Sequence, residues 1–280
     1  MYSIISKKSL NPTVTQMEIY APFVAKKALA GQFVILRVAE DGERIPLTVA
    51  GYDREKGTVK IIFQIVGGTT ELLNQKNVGD TIPDFVGPLG RPTHTAGLKK
   101  VCVVGGGVGC AIALPVAQAL KEQGAEVTSV IGFRSKDLVI LEEEFKAVST
   151  VFHMMTDDGS YGRQGNVCVP LNEMLEAGEQ FDAVITIGPL IMMKFVCAAT
   201  KPYGVKTVAS MNPIMIDGTG MCGGCRLTVG GKMKFACVDG PEFDGHEIDF
   251  DEAISRSRAY ADFENREREK TCNLFKKEVQ

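Results

Sequence analysis

The sequence predicts a small antiparallel β-barrel followed by a Rossmann-like α/β unit, with a cysteine-rich module and a helical tail behind them. Three observations predict it. Short β-branched and aromatic runs separated by turn signals fill the chain to about residue 92; a β-Gly-α-β alternation begins after Leu98; and three of the eight cysteines crowd between positions 222 and 237. The chain accordingly divides into residues 1–96, 97–210, 211–245 and 246–280.

In the first region, residues 32–38 and 58–66 read as strands, and Asp41-Gly42 and residues 53–57 break the runs. That spacing belongs to a small barrel or sandwich. Only residues 70–75 look helical there.

In the second region, residues 101–104 form a brief apolar run, then come glycines, a helical stretch at 111–123 and another apolar run at 127–131. The alternation continues through 142–148, 151–155, 171–177, 183–187 and 191–200, which predicts a parallel sheet covered by helices. The boundary between the two regions falls near residues 93–99. Within VCVVGGGVG (101–109), Gly105, Gly106, Gly107 and Gly109 stand where backbone must approach a pyrophosphate, with a helix N-terminus facing the anion. Without a ligand the same loop is a tight turn. No acidic residue ends the second strand to grip a ribose. Arg134 and Ser135 follow it instead, and meet either a ribose diol or a 2′-phosphate, so the coenzyme's phosphorylation state stays open. Asp157, heading a glycine-rich loop that runs to Gly165, and Gly188-Pro189, after the run 183–187, sit at carboxyl ends of strands. That is the edge where ligands such as NAD(H) bind in open parallel sheets.

Composition narrows the function classes. The chain is 45% hydrophobic with a net charge of −3, and no basic run lies outside the tail, so the electrostatic footprint of a nucleic-acid binder is missing. No stretch approaches the roughly 20 apolar residues that span a bilayer, and the start lacks the apolar block of a signal peptide. These features predict a cytoplasmic protein with neither nucleic acid nor membrane as partner. In a reducing compartment Cys102, Cys110, Cys168 and Cys197 are expected to be small buried hydrophobes. Cys272 is assigned no role.

The remaining cysteines signal ligation. Cys222 and Cys225 are separated by two residues, and Cys237 follows after eleven more. Plant-type [2Fe-2S] sites add a fourth cysteine five positions before the first of such a pair. Here that position is Asp217, the candidate fourth ligand. The alternative is zinc, which also accepts Cys and Asp, with Asp217 capping a turn. From residue 211 to about 244 glycine rises and periodicity disappears, which predicts a loop whose core is inorganic. In the tail, Asp249 or Asp251 is a plausible N-cap, with Phe250, Ala253, Ile254 and Ala261 near helical spacing. The charged run 264–270 is a solvated helix face or, alternatively, a docking surface.

RIPLT (44–48), GGTT (67–70) and GPLG (87–90), each uninformative alone, together reproduce the order of elements in the ferredoxin-NADP reductase superfamily. The chain resembles that superfamily from residue 1 to about 245. More narrowly, it is similar to its iron-sulfur-bearing electron-transfer subunits, those of type B dihydroorotate dehydrogenase and of NADH-dependent reduced ferredoxin:NADP oxidoreductase. The resemblance implies that the barrel holds FAD, with Arg44 on its phosphates, Pro46, Leu47 and Thr48 against the isoalloxazine ring, and Gly67, Gly68, Thr69 and Thr70 near the pyrophosphate. Those residue types suit these roles, since guanidinium pairs with phosphate, glycine amides approach closely, and the Thr48 hydroxyl reaches a flavin nitrogen without blocking hydride. The superfamily's cysteine before Gly188-Pro189 is replaced by Ile187. Ligation by three cysteines and one aspartate matches the ferredoxin:NADP branch and departs from the four-cysteine dihydroorotate branch. The branch implies a heterodimer with a larger FAD and [4Fe-4S] subunit, carrying out electron bifurcation. Dihydroorotate oxidation, sulfide dehydrogenation or a redox-sensing module are the alternatives. No general acid or base is needed, so His94, His153 and His246 are expected to be structural or exposed.

Overall fold

The protein is described from a computed structural model covering residues 1–259. Ala261, the run 264–270 and Cys272 lie outside the described residues.

The first sheet takes in β1 (Tyr2–Asn11), β2 (Val14–Tyr20), β3 (Phe33–Arg37), β4 (Arg44–Asp53), β5 (Thr58–Gln64), β6 (Thr81–Ile82) and β7 (Asp84–Leu89), with helices α1 (Pro22–Lys27) and α2 (Gly68–Gln75) in its connections. The strand order is β6-β1-β2-β5-β4-β3-β7, antiparallel throughout. Its two end strands are consecutive in the chain, so the sheet curls until its edges nearly meet. Alternation explains the wall. On β5, Val59, Ile61 and Phe63 point inward beside Met17, Ile19, Val34 and Leu36, while Ile62 points outward. The helix α1 has no counterpart in the sequence reading. Its six residues give too few turns for a periodic signal, and it starts on a proline in its first turn.

The second sheet is built from β8 (Lys100–Gly106), β9 (Glu126–Phe133), β10 (Val151–Thr156), β11 (Arg163–Gln164), β12 (Ala183–Ile187) and β13 (Thr207–Ser210). It is covered by α3 (Cys110–Glu122), α4 (Glu142–Val148), α5 (Cys168–Glu176) and α6 (Leu190–Thr200). Its order is β11-β10-β9-β8-β12-β13 and all these pairs are parallel. The outward Ile62, with Val14 and Ala50, shares a core with Ala111, Leu114 and Val116 of α3, which fixes the barrel against this sheet.

Past residue 211 the structure corrects two expectations. The region is not periodicity-free: β14 (Arg226–Val229) and β15 (Lys232–Phe235) make a hairpin, followed by α7 (Ala236–Asp239), β16 (Glu242–Asp244) and α8 (Phe250–Ser257). The hairpin turn is Gly230-Gly231, with φ of 57° and 70°, the left-handed pair that two-residue hairpins require. Nor is its core inorganic alone, since Met211, Met215, Cys225, Leu227, Ala236 and Cys237 pack with Ile248 and Phe250, and with Phe33 and Ile35 of the barrel. Strand β16 then joins the second sheet antiparallel beside β13. The N-cap of α8 is Asp249, whose carboxylate accepts the Glu252 amide at 2.9 Å, in line with the pattern of the tail.

Glu242 on β16 carries a carboxyl enclosed at the seam of these parts, where the Thr93 hydroxyl donates to it at 2.5 Å. Burial pushes this carboxyl up from 4.5 to about 7, and the Thr93 bond offsets only part of the rise. Because the folded group holds its proton more tightly than the unfolded one, its contribution to stability is complete below pH 4.5 and is lost as pH climbs through 7. Urea midpoints should therefore correspond to a loss of about 2 kcal/mol between pH 5 and 8, and Glu242→Gln should flatten that slope. An unchanged slope in the variant would show that the carboxyl is already solvated.

Candidate functional site

A cleft of about 1320 Å³ lies between the barrel and the carboxyl ends of the second sheet. From the barrel it is lined by Pro46, Leu47, Thr48 and Thr70, and from the sheet by Gly106, Gly107, Gly109, Arg134, Asp157, Gly188 and Pro189. Both groups of residues picked from the sequence thus face one space. Arg44, Gly67, Gly68, Thr69 and Gly105 stand outside its lining.

On the barrel side, β4 pairs with β3 so that Thr48 sits opposite Phe33, another lining residue. The Thr48 hydroxyl makes no hydrogen bond to protein among the described residues. Arg44 lies 3.8 Å from Asp84, which Arg37 already holds at 2.8 Å, so the Arg44 guanidinium has donors to spare. At Gly67 and Gly68 an added Cβ would meet no atom within 4 Å, leaving this backbone open to a ligand. The Thr70 hydroxyl accepts the Val66 and Gly67 amides at 3.0 Å each and shapes the entry to α2. The Thr69 hydroxyl is bonded to the Glu43 carboxylate.

On the sheet side, the glycines divide between packing and access. A Cβ on Gly109 would come within 2.5 Å of the Ile187 carbonyl oxygen and 2.7 Å of the Gly188 Cα; one on Gly105 would press on Cys110, and one on Gly106 on Met192. Only at Gly107, where φ is 55°, is there open space for a side chain. Hence Gly109 lets two backbones touch, Gly105 and Gly106 make room for the Cys110 and Met192 side chains, and Gly107 lines the cleft with open space beside it. Arg134 is exposed at the end of β9 and forms no ion pair among the described residues.

The cysteine centre is organised by Asp217. Its two carboxylate oxygens accept the Thr219 amide at 2.8 Å and the Cys222 amide at 2.7 Å. Those bonds, the Thr219 amide foremost, hold its carboxyl below the usual carboxylate range. Cys225 and Cys237 are buried side by side, the Cys237 amide donating to the Cys225 sulfur at 3.5 Å, and the Gly224 amide donates to the Cys222 sulfur at 3.5 Å. Burial, and then the neighbouring Cys225, push the Cys237 thiol up. Among the described residues, no three His, Cys, Asp or Glu side chains close around a single ion position. Three sulfurs, two of them with amide donors, and one carboxylate are a donor set that fits two irons sharing four ligands.

Phe33, Gln64, Asn166, Phe195, Ser210 and Asn212 also line the cleft. Sequence reasoning misses all six, because no local motif marks a residue that the fold brings in from a strand end or a loop. Cys102, Cys110 and Cys197 are buried as expected, whereas Cys168 is only partly covered and lines the cleft. His94, His153 and His246 stay outside it; His246 meets the Thr200 hydroxyl at 3.0 Å. No described helix is long and apolar enough to cross a membrane.

Comparison with known proteins fits this geometry. Residues 212–249 match the family model of the iron-sulfur cluster binding domain of dihydroorotate dehydrogenase B. A Thermotoga maritima homologue of the electron-transfer subunit of dihydroorotate dehydrogenase B (NAD(+)) is 47% identical, over 93% of this chain and 92% of its own. The corresponding subunit from Streptococcus pneumoniae is 34% identical over 86% and 94%. An uncharacterised protein of Clostridium beijerinckii reaches 50% over 93% and 90%. Among solved structures, that of an NADH-dependent reduced ferredoxin-NADP oxidoreductase, studied for flavin-based electron bifurcation, superposes with a TM-score of 0.91 at 42% identity, covering 97% of this chain and 98% of that one. A cytochrome P450 reductase of Amycolatopsis, 20% identical with a TM-score of 0.62, shares the fold.

The two kinds of glycine should separate on mutation. Gly109→Ala forces apart two backbones and should cost about 1–3 kcal/mol in thermal unfolding. Gly107→Ala should cost only the left-handed strain, about 1–2 kcal/mol, yet weaken dinucleotide binding at least tenfold in fluorescence titration. Equal affinity in Gly107→Ala and the unaltered protein would mean that no ligand approaches that peptide.

Proposed function

We infer the function from the premise that this chain belongs to the family of dihydroorotate dehydrogenase B electron-transfer subunits and their homologues. It is an oxidoreductase subunit that moves electrons between NAD(H), FAD and a [2Fe-2S] cluster. The observation that carries this reading is the single cleft shared by strand residues 46–48 and the glycine loop 106–109, with the cysteine centre packed behind β3.

When bound, the flavin and the cluster supply the conversion of a two-electron hydride into single electrons. The chain's own residues bind and orient. Pro46 and Leu47 offer apolar contact to an isoalloxazine ring, and the Thr48 hydroxyl, unbonded to protein among the described residues, is free to hydrogen-bond it. Arg44, with the open peptides of Gly67 and Gly68 and the neighbouring Thr69 and Thr70, takes the flavin's phosphates. Gly107 and the carboxyl ends of β8 and β12, with Gly188 and Pro189, receive the coenzyme, and Arg134 and Asp157 flank its adenosine end. Asp217, Cys222, Cys225 and Cys237 hold the cluster, and the amides on Cys222 and Cys225 sulfur stabilise added negative charge there. The parts correspond to an FAD-binding barrel at 1–96, a coenzyme domain at 97–210, a cluster module at 211–245 and a tail at 246–280.

The chain works as one subunit of a heteromeric complex. We assign its partner as a larger subunit with FAD and [4Fe-4S] centres, in a cytoplasmic, electron-bifurcating NADH-dependent ferredoxin:NADP oxidoreductase. Asp217 in place of a fourth cysteine favours this over delivery of electrons from dihydroorotate, the second reading, which the match at residues 212–249 keeps in view.

The purified subunit should carry FAD, iron and acid-labile sulfide and oxidise NADH steadily with ferricyanide as acceptor; a colourless, iron-free folded protein would sink the reading. A carboxylate donates less electron density to iron than a thiolate does, so Asp217→Cys should lower the cluster's midpoint in an EPR-monitored titration. A midpoint that is unchanged or raised would remove Asp217 from the ligand set.

A further inference from the structure

The second strand of a dinucleotide-binding unit usually ends in an acidic residue that accepts the ribose hydroxyls. Here Arg134 occupies that place, and on sequence alone Arg134 and Ser135 suit a 2′-phosphate as well as a diol. The structure removes half of that ambiguity. The chain turns directly after β9, and in the turn the Ser135 hydroxyl donates to the Asp137 carboxylate at 2.5 Å. Residues on both sides of this pair, Arg134 and Leu138, line the cleft. The facing loop is zipped to the same turn: the Asp157 amide donates to the Phe133 carbonyl at 3.0 Å, the Asp158 amide to the Arg134 carbonyl at 3.2 Å, and the Lys136 amide to the Ser160 hydroxyl at 2.8 Å.

The charges in this double loop are unevenly placed for a phosphate. Ser135, the hydroxyl a 2′-phosphate would need as donor, is already committed to a carboxylate. Lys136, the second cation in reach, lies over the Tyr161 ring at 5.4 Å. The Ser160 hydroxyl is likewise bonded to the Asp158 carboxylate, at 2.6 Å. A dianion arriving here would meet Arg134, with Lys136 drawn toward Tyr161, and would have three carboxylates, Asp137, Asp157 and Asp158, around it. A ribose diol would find carboxylate acceptors in the same places, with Arg134 left to the pyrophosphate or the adenine face.

We propose that Asp137, held against Ser135 at the rim of the cleft, makes the coenzyme site select the unphosphorylated dinucleotide, accepting the ribose hydroxyl and repelling a 2′-phosphate. This rests on the coenzyme reading of the cleft given above. Asp137 and Ser135 are specificity-determining here; neither takes part in hydride transfer.

The test is Asp137→Asn in the FAD- and cluster-loaded subunit, with Asp137→Ser as a second variant; the exposed position leaves folding unaffected. With ferricyanide as acceptor, the ratio of kcat/KM for NADH to that for NADPH should fall at least tenfold in both variants. Independently of turnover, ADP-ribose and its 2′-phosphorylated form are titrated against the protein. The unaltered chain should favour ADP-ribose, and the variants should close that gap by a similar factor. Ratios within twofold of the unaltered protein in both assays would overturn the proposal. If the unaltered subunit oxidises neither coenzyme, the functional reading fails instead, and the affinity ratio still decides the role of Asp137.

Discussion

The contact on which the rest depends is that of two backbones with nothing between them. Gly109 lies so close to the Ile187 carbonyl and to Gly188 that even a methyl group would drive them apart. This lets the ends of β8 and β12, neighbours in the sheet, turn outward together and open a rim that neither could make alone. Had the loop needed only flexibility, glycine would be required at Gly107 and little else. Gly105, Gly106 and Gly109 answer a packing demand, and Gly107 keeps the cleft open.

A similar reliance on neighbours governs the cysteine module. Thirty-odd residues around three thiols cannot bury enough apolar surface to offset the entropy of their own ordering. The module therefore draws on its surroundings: Phe33 and Ile35 come from the barrel, Met193 and Cys197 from α6, and Ile248 and Phe250 from beyond the module itself. Gly218, at φ 76°, tucks against Ile35 and Leu89, so the ligand loop seats directly on barrel strands. The strand β16 completes the tie by extending the second sheet, and it brings with it the enclosed Glu242. Anything that loosens this seam should loosen all three parts at once.

How much of this the sequence disclosed follows from the range of each signal. The long periodic elements of the α/β unit are legible within a residue or two, apart from α5, which starts three residues before the stretch 171–177, because a helix such as α3 repeats its apolar face over several turns. Six-residue α1 and three-residue β16 carry no period to read. The β14–β15 hairpin did leave a mark, Gly230-Gly231 between two short runs, but glycine is so dense around it that the mark reads as loop. In the site, residues that sit in motifs were legible and those delivered by tertiary folding were not. Phe33 faces the cleft only because β3 pairs with β4 in the register that sets it opposite Thr48. Asn212 and Ser210 reach it only because β13 ends there. The Ser135–Asp137 bond was equally invisible, since spacing alone does not tell which way a hydroxyl turns.

One strand links the cleft and the cysteine centre, and its stiffness bears on the function proposed for them. On β3, Phe33 lines the cleft beside Thr48, and two residues on, Ile35 packs into the core that holds Cys225 and Cys237. Alternate side chains of a strand share one face, so the wall of the cleft and the floor of the cysteine centre belong to one strand surface. Electron transfer between bound centres falls off steeply with the gap between them, and a gap set by a paired strand in a seven-stranded sheet varies far less than one set by a loop. Burial differs across the ligand set as well: Cys225 and Cys237 are 1% and 2% exposed, whereas Cys222 is exposed and the neighbouring Met221 is 89% exposed. The cysteine centre is thus shielded on the side that faces the barrel and open to solvent on the other.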